Sequence, residues 1–549
     1  MKLRLIAAAL ALLALSGCAT IPSSGNIGFG PDVTSGLNND EVYYSQTGPY
    51  SDATQEAVLY GFLNSGNGPQ NDYAVAREYL TKSFASKWQP NDEVLIQEGT
   101  PELFKVSETE YRVTVGVSGQ VDSEGRYTDL PAGTKRTSTI EFAKTSGQWR
   151  ISAAPNQTTI IRPNFKVLFR SYSLYFFDPS LTYLVPEVRW FPSRASTGTR
   201  LMNSLLKGPS DWLKPAVVNV IPVGTKLNIN SVTIEDGIAK VDLSSQALRV
   251  PTSKRALMKS QIAATLEQLT DVTNVEISIQ RTPQTISQYV DGQPPSLGSS
   301  PIALTSNGLV RLNASGAQAI AGTAAKVLET QATDFAFSQT LNRLALVAPS
   351  GVHIYGLDSF NDAGHVVDRR ANQLSPSFDP QGALWSLPAV QGAPFVVSGD
   401  TRKVLLNPWV AGVPISFAVS PEGARVAVVY QIDKIKQTYV FPVERNKLGQ
   451  VVSLGKPILV SSAPNDSDKV TWADSVTLAL VTPSKPTGFI PCLVTIGGLL
   501  NASTAIESAS SITVNGTGQI FILQPDGNVV ESRGSIWTTI AQNILALHL

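Results

Sequence analysis

Cysteine is almost missing from this 549-residue chain: there are two, Cys18 and Cys492. Such a chain cannot be a disulfide framework, so its stability has to come from packed apolar cores. Histidine is nearly as scarce, at three: His353, His365 and His548. No His-Glu-x-x-His and no paired-cysteine motif occurs, which argues against a zinc site. The Gly-x-Ser-x-Gly elbow, the P-loop and the dinucleotide fingerprint are also absent. Net charge is missing too, because 43 Lys and Arg balance 43 Asp and Glu. The chain therefore has no global electrostatic pull toward nucleic acid, and none is expected as a partner. After residue 17 no apolar run reaches the ~20 residues a spanning helix needs. From these absences no catalytic residue, no cofactor and no metal is assigned, and the chain is read as a non-enzyme.

What is present begins at the first residues. Lys2 and Arg4 precede an apolar run, Leu3 to Leu15, and then come Leu15-Ser16-Gly17-Cys18. A charged start, a short apolar core and small residues at a cut form an export signal. Leu15, Ser16, Gly17 and Cys18 resemble a bacterial lipobox. The resemblance implies that Cys18 becomes the mature N-terminus and carries S-diacylglycerol and an N-acyl group. One chain anchors marginally, at ~0.8 kcal/mol per buried CH₂, and two or three anchor durably. Residues 1–17 are thus read as a signal peptide. Residues 18–39, rich in Ser, Gly, Pro and Asn, are read as a lipidated flexible tether.

Hydrophobic content of 42% and charged content of 16% then call for folded domains. Residues 40–155 read as a small α+β domain. Asp52 with Gln55 makes a capping-box start for a helix through about Leu63, and a second helix is expected from about Asp72 to Leu80. Tyr111, Val113, Val115 and Val117 alternate as a half-buried strand does. Residues 166–290 read as a second α+β domain. Leu174 to Phe177, apolar on both faces, is expected to be a central strand. Gly208-Pro209 ends a helix, Asp236-Gly237 turns a hairpin, and Ser253 is placed as a helix cap.

Residues 296–549 show no helical pattern. Instead Ser338, Asp379, Ser420, Asp474 and Asn515 mark copies of a strand–turn–strand unit, 41, 41, 54 and 41 residues apart. That period points to propeller blades, six by preference and five as the runner-up. Closure would pair the terminal Asn543 to Leu547 with a strand near Pro301.

A few side chains have the chemistry of candidate sites. Asp122-Ser123-Glu124-Gly125 is read as a tight turn, since it lacks the later ligands of a calcium loop. Asp466 and Asp468 read as a solvated loop, and Cys492 as a small buried hydrophobe. Arg189-Trp190-Phe191 and Trp212 could stack on a glycan, but packing between or within domains is the preferred reading.

Two resemblances sharpen this. Tyr175-Phe176-Phe177-Asp178, Leu184 to Arg189, Leu205-Leu206-Lys207-Gly208-Pro209, Val220 to Thr225 and Val241 to Ser244 resemble the GerMN module of spore-germination proteins. With the lipobox, and with Gly61-Phe62-Leu63 and Ala76 to Leu80 in a nuclear-transport-factor-like first domain, the whole order resembles the actinobacterial LpqB lipoprotein family. The resemblance implies a protein anchored to membrane lipid on the extracytoplasmic face of the cell membrane. It also implies a regulatory partner, the extracellular domain of an MtrB-like sensor histidine kinase in a two-component system serving the cell envelope and division. Cell-wall polymer is a further partner to consider. The alternatives are a wall-polymer enzyme with a propeller active site and a passive wall-binding scaffold.

Overall fold

The computed structural model describes residues 46–194, 196–286, 292–295, 297–313, 316–358, 362–399, 401–484 and 488–549. The signal peptide, the tether and the lipobox with Cys18 lie outside them.

In the first domain, helix α1 (Gln55–Ser65) starts at Thr54, not Asp52: Thr54 is extended and its Oγ1 accepts from Ala57 N at 3.2 Å. Asp52 cannot cap because its φ is +60°, and its carboxylate instead accepts from Gln148 at 3.1 Å. Helix α2 (Ala74–Glu78) is shorter than expected. Asn71, Asp72 and Tyr73 all have positive φ (48°, 55° and 59°), so the helix cannot begin before them. A short α3 (Lys82–Ala85) leads into β1 (Glu93–Lys105), β2 (Glu110–Asp122), β3 (Tyr127–Asp129), β4 (Lys135–Thr145), β5 (Gln148–Ala153) and β6 (Thr158–Ile161). The sheet order is β5-β4-β2-β1-β6, with β3 beside β2 and β6 parallel to β1. Tyr111, Val113, Val115 and Val117 face a core shared with Val58, Leu59, Phe62 and Trp88. Near its start, strand β1 is buried on both faces: Leu95 enters that core, while Val94 and Ile96 enter a second one.

Helix α4 (Arg162–Leu168) passes directly into β7 (Phe169–Phe177), whose one partner strand among the described residues is β8 (Leu184–Pro192). The expectation of a central strand at Leu174–Phe177 is therefore corrected. The second edge of β7 has no partner strand among the described residues: it is met by the side chains of Thr265 and Gln268 and, at Phe177, by an isolated backbone bridge to Val218 (3.0 and 2.7 Å). Gln268 bonds both the N–H and the C=O of Ser173, at 2.8 and 2.7 Å, and Thr265 Oγ1 accepts from Tyr175 N at 3.2 Å. Helix α5 (Thr197–Lys207) ends at Gly208, whose φ is +95°. Strands β9 (Thr233–Glu235) and β10 (Ile238–Leu243) form a hairpin across Asp236 and Gly237, both at positive φ as a two-residue turn requires. Helix α6 (Arg255–Leu266) follows a 3₁₀ turn, Thr252–Lys254, so Ser253 lies inside a helical turn and caps nothing. Strand β11 (Asn274–Ile279) runs parallel to β10, and β12 (Thr282–Pro283) borders it.

The third domain is a β-propeller. Among the described residues six antiparallel sheets follow one another. Their inner strands, Asp334–Ser338, Ser377–Phe378, Val413–Val419, Lys469–Trp472, Ser511–Val514 and Ala546–His548, neighbour one another in a closed ring. The last belongs to the first sheet, pairing Ile302 with His548, Ala303 with Leu547 and Leu304 with Ala546. The recurring polar residues sit where an inner strand turns, and the geometry says why. Asp379 Oδ1 accepts from Ala383 N (2.8 Å), Ser420 Oγ from Arg425 N (3.0 Å) and Asp474 Oδ1 from Thr477 N (2.7 Å). Asn515 Oδ1 likewise accepts from Gln519 N (2.9 Å). Each is an acceptor that ties its turn. One helix, α7 (Ala324–Thr330), corrects the expectation of none. It buries Lys326 and Val327 alone, so it carries no apolar period to read.

Candidate functional site

The three domains meet around β8. Its Trp190 packs on Phe165 (5.1 Å between ring centroids) and Tyr127 (6.0 Å). These rings join Val94, Ile96 and propeller residue Leu499 in one buried cluster. Trp190 Nε1 donates to Gly497 O in the propeller at 2.9 Å, and Trp190 N donates to Gly125 O in the first domain at 2.7 Å. Gly125, at φ +80°, packs against β8 so closely that a Cβ there would lie 2.9 Å from Trp190 O. The Asp122–Gly125 segment is a turn, with Asp122 Oδ1 accepting from Glu124 N and Arg126 N at 2.9 Å each.

Buried ion pairs brace this junction. Arg189 pairs with Glu187 at 3.0 Å, and Ser210 N and Oγ also donate to that carboxylate. Arg425 pairs with Glu422 at 2.8 Å, donates to Pro186 O of β8 at 3.2 Å, and lies 5.2 Å over the Trp472 ring. Deeper in the propeller, Arg445 pairs with Asp379 at 2.7 Å. Charges this deeply buried are tolerable only when paired and hydrogen-bonded.

Between the braces lies a cavity of ≈ 380 Å³, open on one side. Arg126, Tyr127 and Thr128 come from the first domain, Pro186 to Arg189 and Trp212 from the second, and Arg425, Ser461 and Ser462 from the propeller. Burial, then the neighbouring Asp129, raises the Tyr127 hydroxyl well above the ordinary tyrosine range. Of the aromatic residues singled out in the sequence, Trp190 and Phe191 are packed inside, while half-buried Trp212 lines the cavity.

The remaining candidates scatter. Among the described residues no group of His, Cys, Asp or Glu could hold a metal ion. His353 bonds Ser350 at 2.7 Å, and His548 bonds Asp334 at 2.7 Å between neighbouring inner strands. Exposed Asp466 accepts from Thr482, and exposed Asp468 pairs with Lys436. Cys492 is buried, and burial followed by Asp466 pushes its thiol up to about 11. Sequence reasoning missed Arg425, Glu422 and Arg445. The turn Ser420-Pro421-Glu422-Gly423 followed by a strand reads as one copy of the repeat, and nothing local signals a guanidinium folded beneath it.

Three family descriptions match the chain in succession. "Lipoprotein LpqB, N-terminal domain" matches residues 48–166, "Sporulation and spore germination" matches 173–285, and "Lipoprotein LpqB beta-propeller domain" matches 307–544. The chain belongs to the LpqB lipoprotein family. Lipoprotein LpqB of Thermobifida fusca is 28% identical over 279 residues, covering 48% of this chain and 44% of that one. Lipoprotein LpqB of Corynebacterium diphtheriae is 31% identical over 221 residues, covering 38% and 36%. The matches thus span less than half the length of these relatives. Among solved structures, the first GerMN domain of GerM from Bacillus subtilis aligns at 22% identity and a TM-score of 0.19, covering 22% of this chain and 92% of that one. A chain of a nidogen/laminin complex aligns at 12% identity and a TM-score of 0.35, covering 45% and 97%. No helix among the described residues is long and apolar enough to cross a membrane.

Proposed function

We propose that this LpqB-family lipoprotein is a non-enzymatic accessory of a membrane sensor kinase, tethered through Cys18 to the extracytoplasmic face of the cell membrane. The observation that carries the reading is the junction at β8. Three domains are bound there through a common apolar cluster and buried ion pairs, so a contact made by one reaches the others as one body. The anchor supplies the second half of the argument. A protein held against a membrane meets membrane neighbours at high effective concentration, so a weak contact with the extracellular domain of an MtrB-like kinase suffices. Such a contact would tune a two-component system governing the envelope and division.

The test compares kinase output in cells carrying the native chain, Cys18→Ala and a chain without the propeller, with crosslinking in membranes to capture the partner. Native output should differ from both variants, and the kinase should be recovered. Unchanged output after deletion of the whole protein, with no kinase captured, rejects the reading. Mass spectrometry should find Cys18 as an acylated N-terminus, and a mature unmodified N-terminus elsewhere would contradict the anchor.

A further inference from the structure

The junction cavity has the chemistry of a small-ligand site. Its volume, ≈ 380 Å³, lies at the lower end of the ~300–1,000 Å³ typical of such sites. Its walls combine two kinds of group. Trp212, with Val188 and Ile496, gives flat and apolar surface. The hydroxyls of Thr128 and Ser461, exposed at its mouth, and of half-buried Ser462, with the indole N–H of half-buried Trp212, line the same space and have no hydrogen-bond partner among the described residues. Beside them the buried Nε of Arg189 also lacks one.

The charges decide between ligand classes. Three guanidiniums line the cavity, yet each already has its own carboxylate. Arg126 has Asp122 and Glu124, Arg189 has Glu187, and Arg425 has Glu422. An anion would have to compete with those carboxylates for the guanidiniums and would face their negative charge. A simple hydrocarbon seated there would displace water from the hydroxyls and the indole N–H and give them no bond in return, at the cost of unpaired polar groups. A neutral ring with hydroxyls at its edge and C–H groups on its faces meets both demands: its face packs on Trp212 and its edge bonds the hydroxyl rim.

From this we infer that the cavity at the three-domain junction binds a neutral saccharide of about one or two rings, lying against Trp212 with its hydroxyls toward Thr128, Ser461 and Ser462. The inference is independent of the kinase reading, because it concerns the isolated chain and a soluble sugar. All three domains contribute to the walls, so the bound sugar would tighten the joint between them.

The experiment uses the full chain in detergent, with ligand-observed saturation-transfer NMR and calorimetry. The probes are N,N′-diacetylchitobiose, cellobiose, maltose and trehalose. Inorganic phosphate and octanoate are the anionic and apolar controls. The variants are Ser462→Trp and Thr128→Trp, which fill the cavity from its rim and leave the ion pairs and the Trp212 ring in place. Expected is saturable binding of at least one saccharide, undisturbed by phosphate. Ser462→Trp should weaken it at least about tenfold while leaving the unfolding midpoint unchanged. Should Ser462→Trp shift that midpoint, Thr128→Trp decides by the same criterion. No saturable binding of any of the four sugars overturns the proposal. So does binding that survives in a folded rim variant, or binding of phosphate or octanoate in preference to the sugars.

Discussion

Removing residues 546–549 should destabilise the whole propeller, because these residues close its ring. The strand Ala546–His548 supplies the inner strand of the first sheet and lies beside Asp334–Ser338 of the second. Its loss removes three register pairs, with Ile302, Ala303 and Leu304, and leaves the neighbouring Leu545 N to Leu304 O bond of 2.8 Å at a free chain end. Leu547 is 1% exposed and packs among Ala303, Leu312, Val529 and Ile544. Leu547→Ala alone should therefore cost about 2–5 kcal/mol, the range for a buried leucine that leaves a cavity. The truncation adds the ladder and opens the inner edge of Ile302–Thr305 to water, so its cost should exceed that of Leu547→Ala. A domain's total stability is ~5–15 kcal/mol, so the truncated ring should be marginal at best.

His548 adds a pH-dependent share. Burial alone would raise the Asp334 carboxyl, but His548 and the Ser375 hydroxyl outweigh it and hold it below its ordinary value of 3.8. A carboxyl depressed in the folded state stabilises above its unfolded value. That contribution is lost as pH falls through the lower folded value. His548→Ala should accordingly cost most above about pH 4 and little in stronger acid. Urea unfolding, followed by fluorescence and circular dichroism at several pH values, measures all three variants. If the truncated chain unfolds at the native midpoint and slope, the ring is not closed by this strand and the reasoning fails.

Three further outcomes are expected. Asp379→Ala or Arg445→Ala should each cost about 3–5 kcal/mol by leaving a buried charge unpaired, whereas Asp379→Leu combined with Arg445→Met should cost less than either; a double-mutant cycle in urea with no coupling would contradict this. Gly125→Val should lower the unfolding midpoint by loosening the first domain from β8, since its φ of +80° and the 2.9 Å approach of Trp190 O both exclude a side chain; a variant as stable as the native chain would show that the turn is not pinned. The Cys492 thiol, buried and pushed up to about 11, should resist a thiol reagent at pH 8 until the chain unfolds, and fast labelling of the folded protein would show the strand open.

How far the sequence could be read depended on whether the signal was local. The propeller turns were legible because Asp379, Ser420, Asp474 and Asn515 each perform one backbone task at one place in a repeat. The alternation from Tyr111 to Val117 was legible because one face of β2 meets helices. Local rules failed where a neighbour in space overrode them. Leu174–Phe177 looked central because it is apolar, yet Gln268 and Thr265, some 90 residues away, take the place of a strand. Asp52 had the composition of a cap but the wrong φ. The junction was legible only in part: packing was the reading of Arg189-Trp190-Phe191, and Trp190 does pack between the domains, but its charges could not be foreseen. Arg126, Arg189 and Arg425 carry no common motif, and only the fold brings them to one cavity.

That junction also bears on how the chain could transmit anything. Domains joined by short linkers move relative to one another by default, unless the interface is large and apolar. Here the second core of the first domain is completed by Trp190 and Val188 of β8 and by Leu499 of the propeller, so no one domain owns it. Several polar contacts across the junction end on backbone carbonyls: Trp190 on Gly497, Arg425 on Pro186, and Arg194 on Pro69. A carbonyl keeps its place only while its turn keeps its shape. A shift of any one domain would therefore expose apolar surface and leave buried guanidinium donors unmet in the same step. The stable arrangements of such a joint are few and discrete. A ligand in the cavity, or a partner on any face, would act on it by favouring one of them over the others.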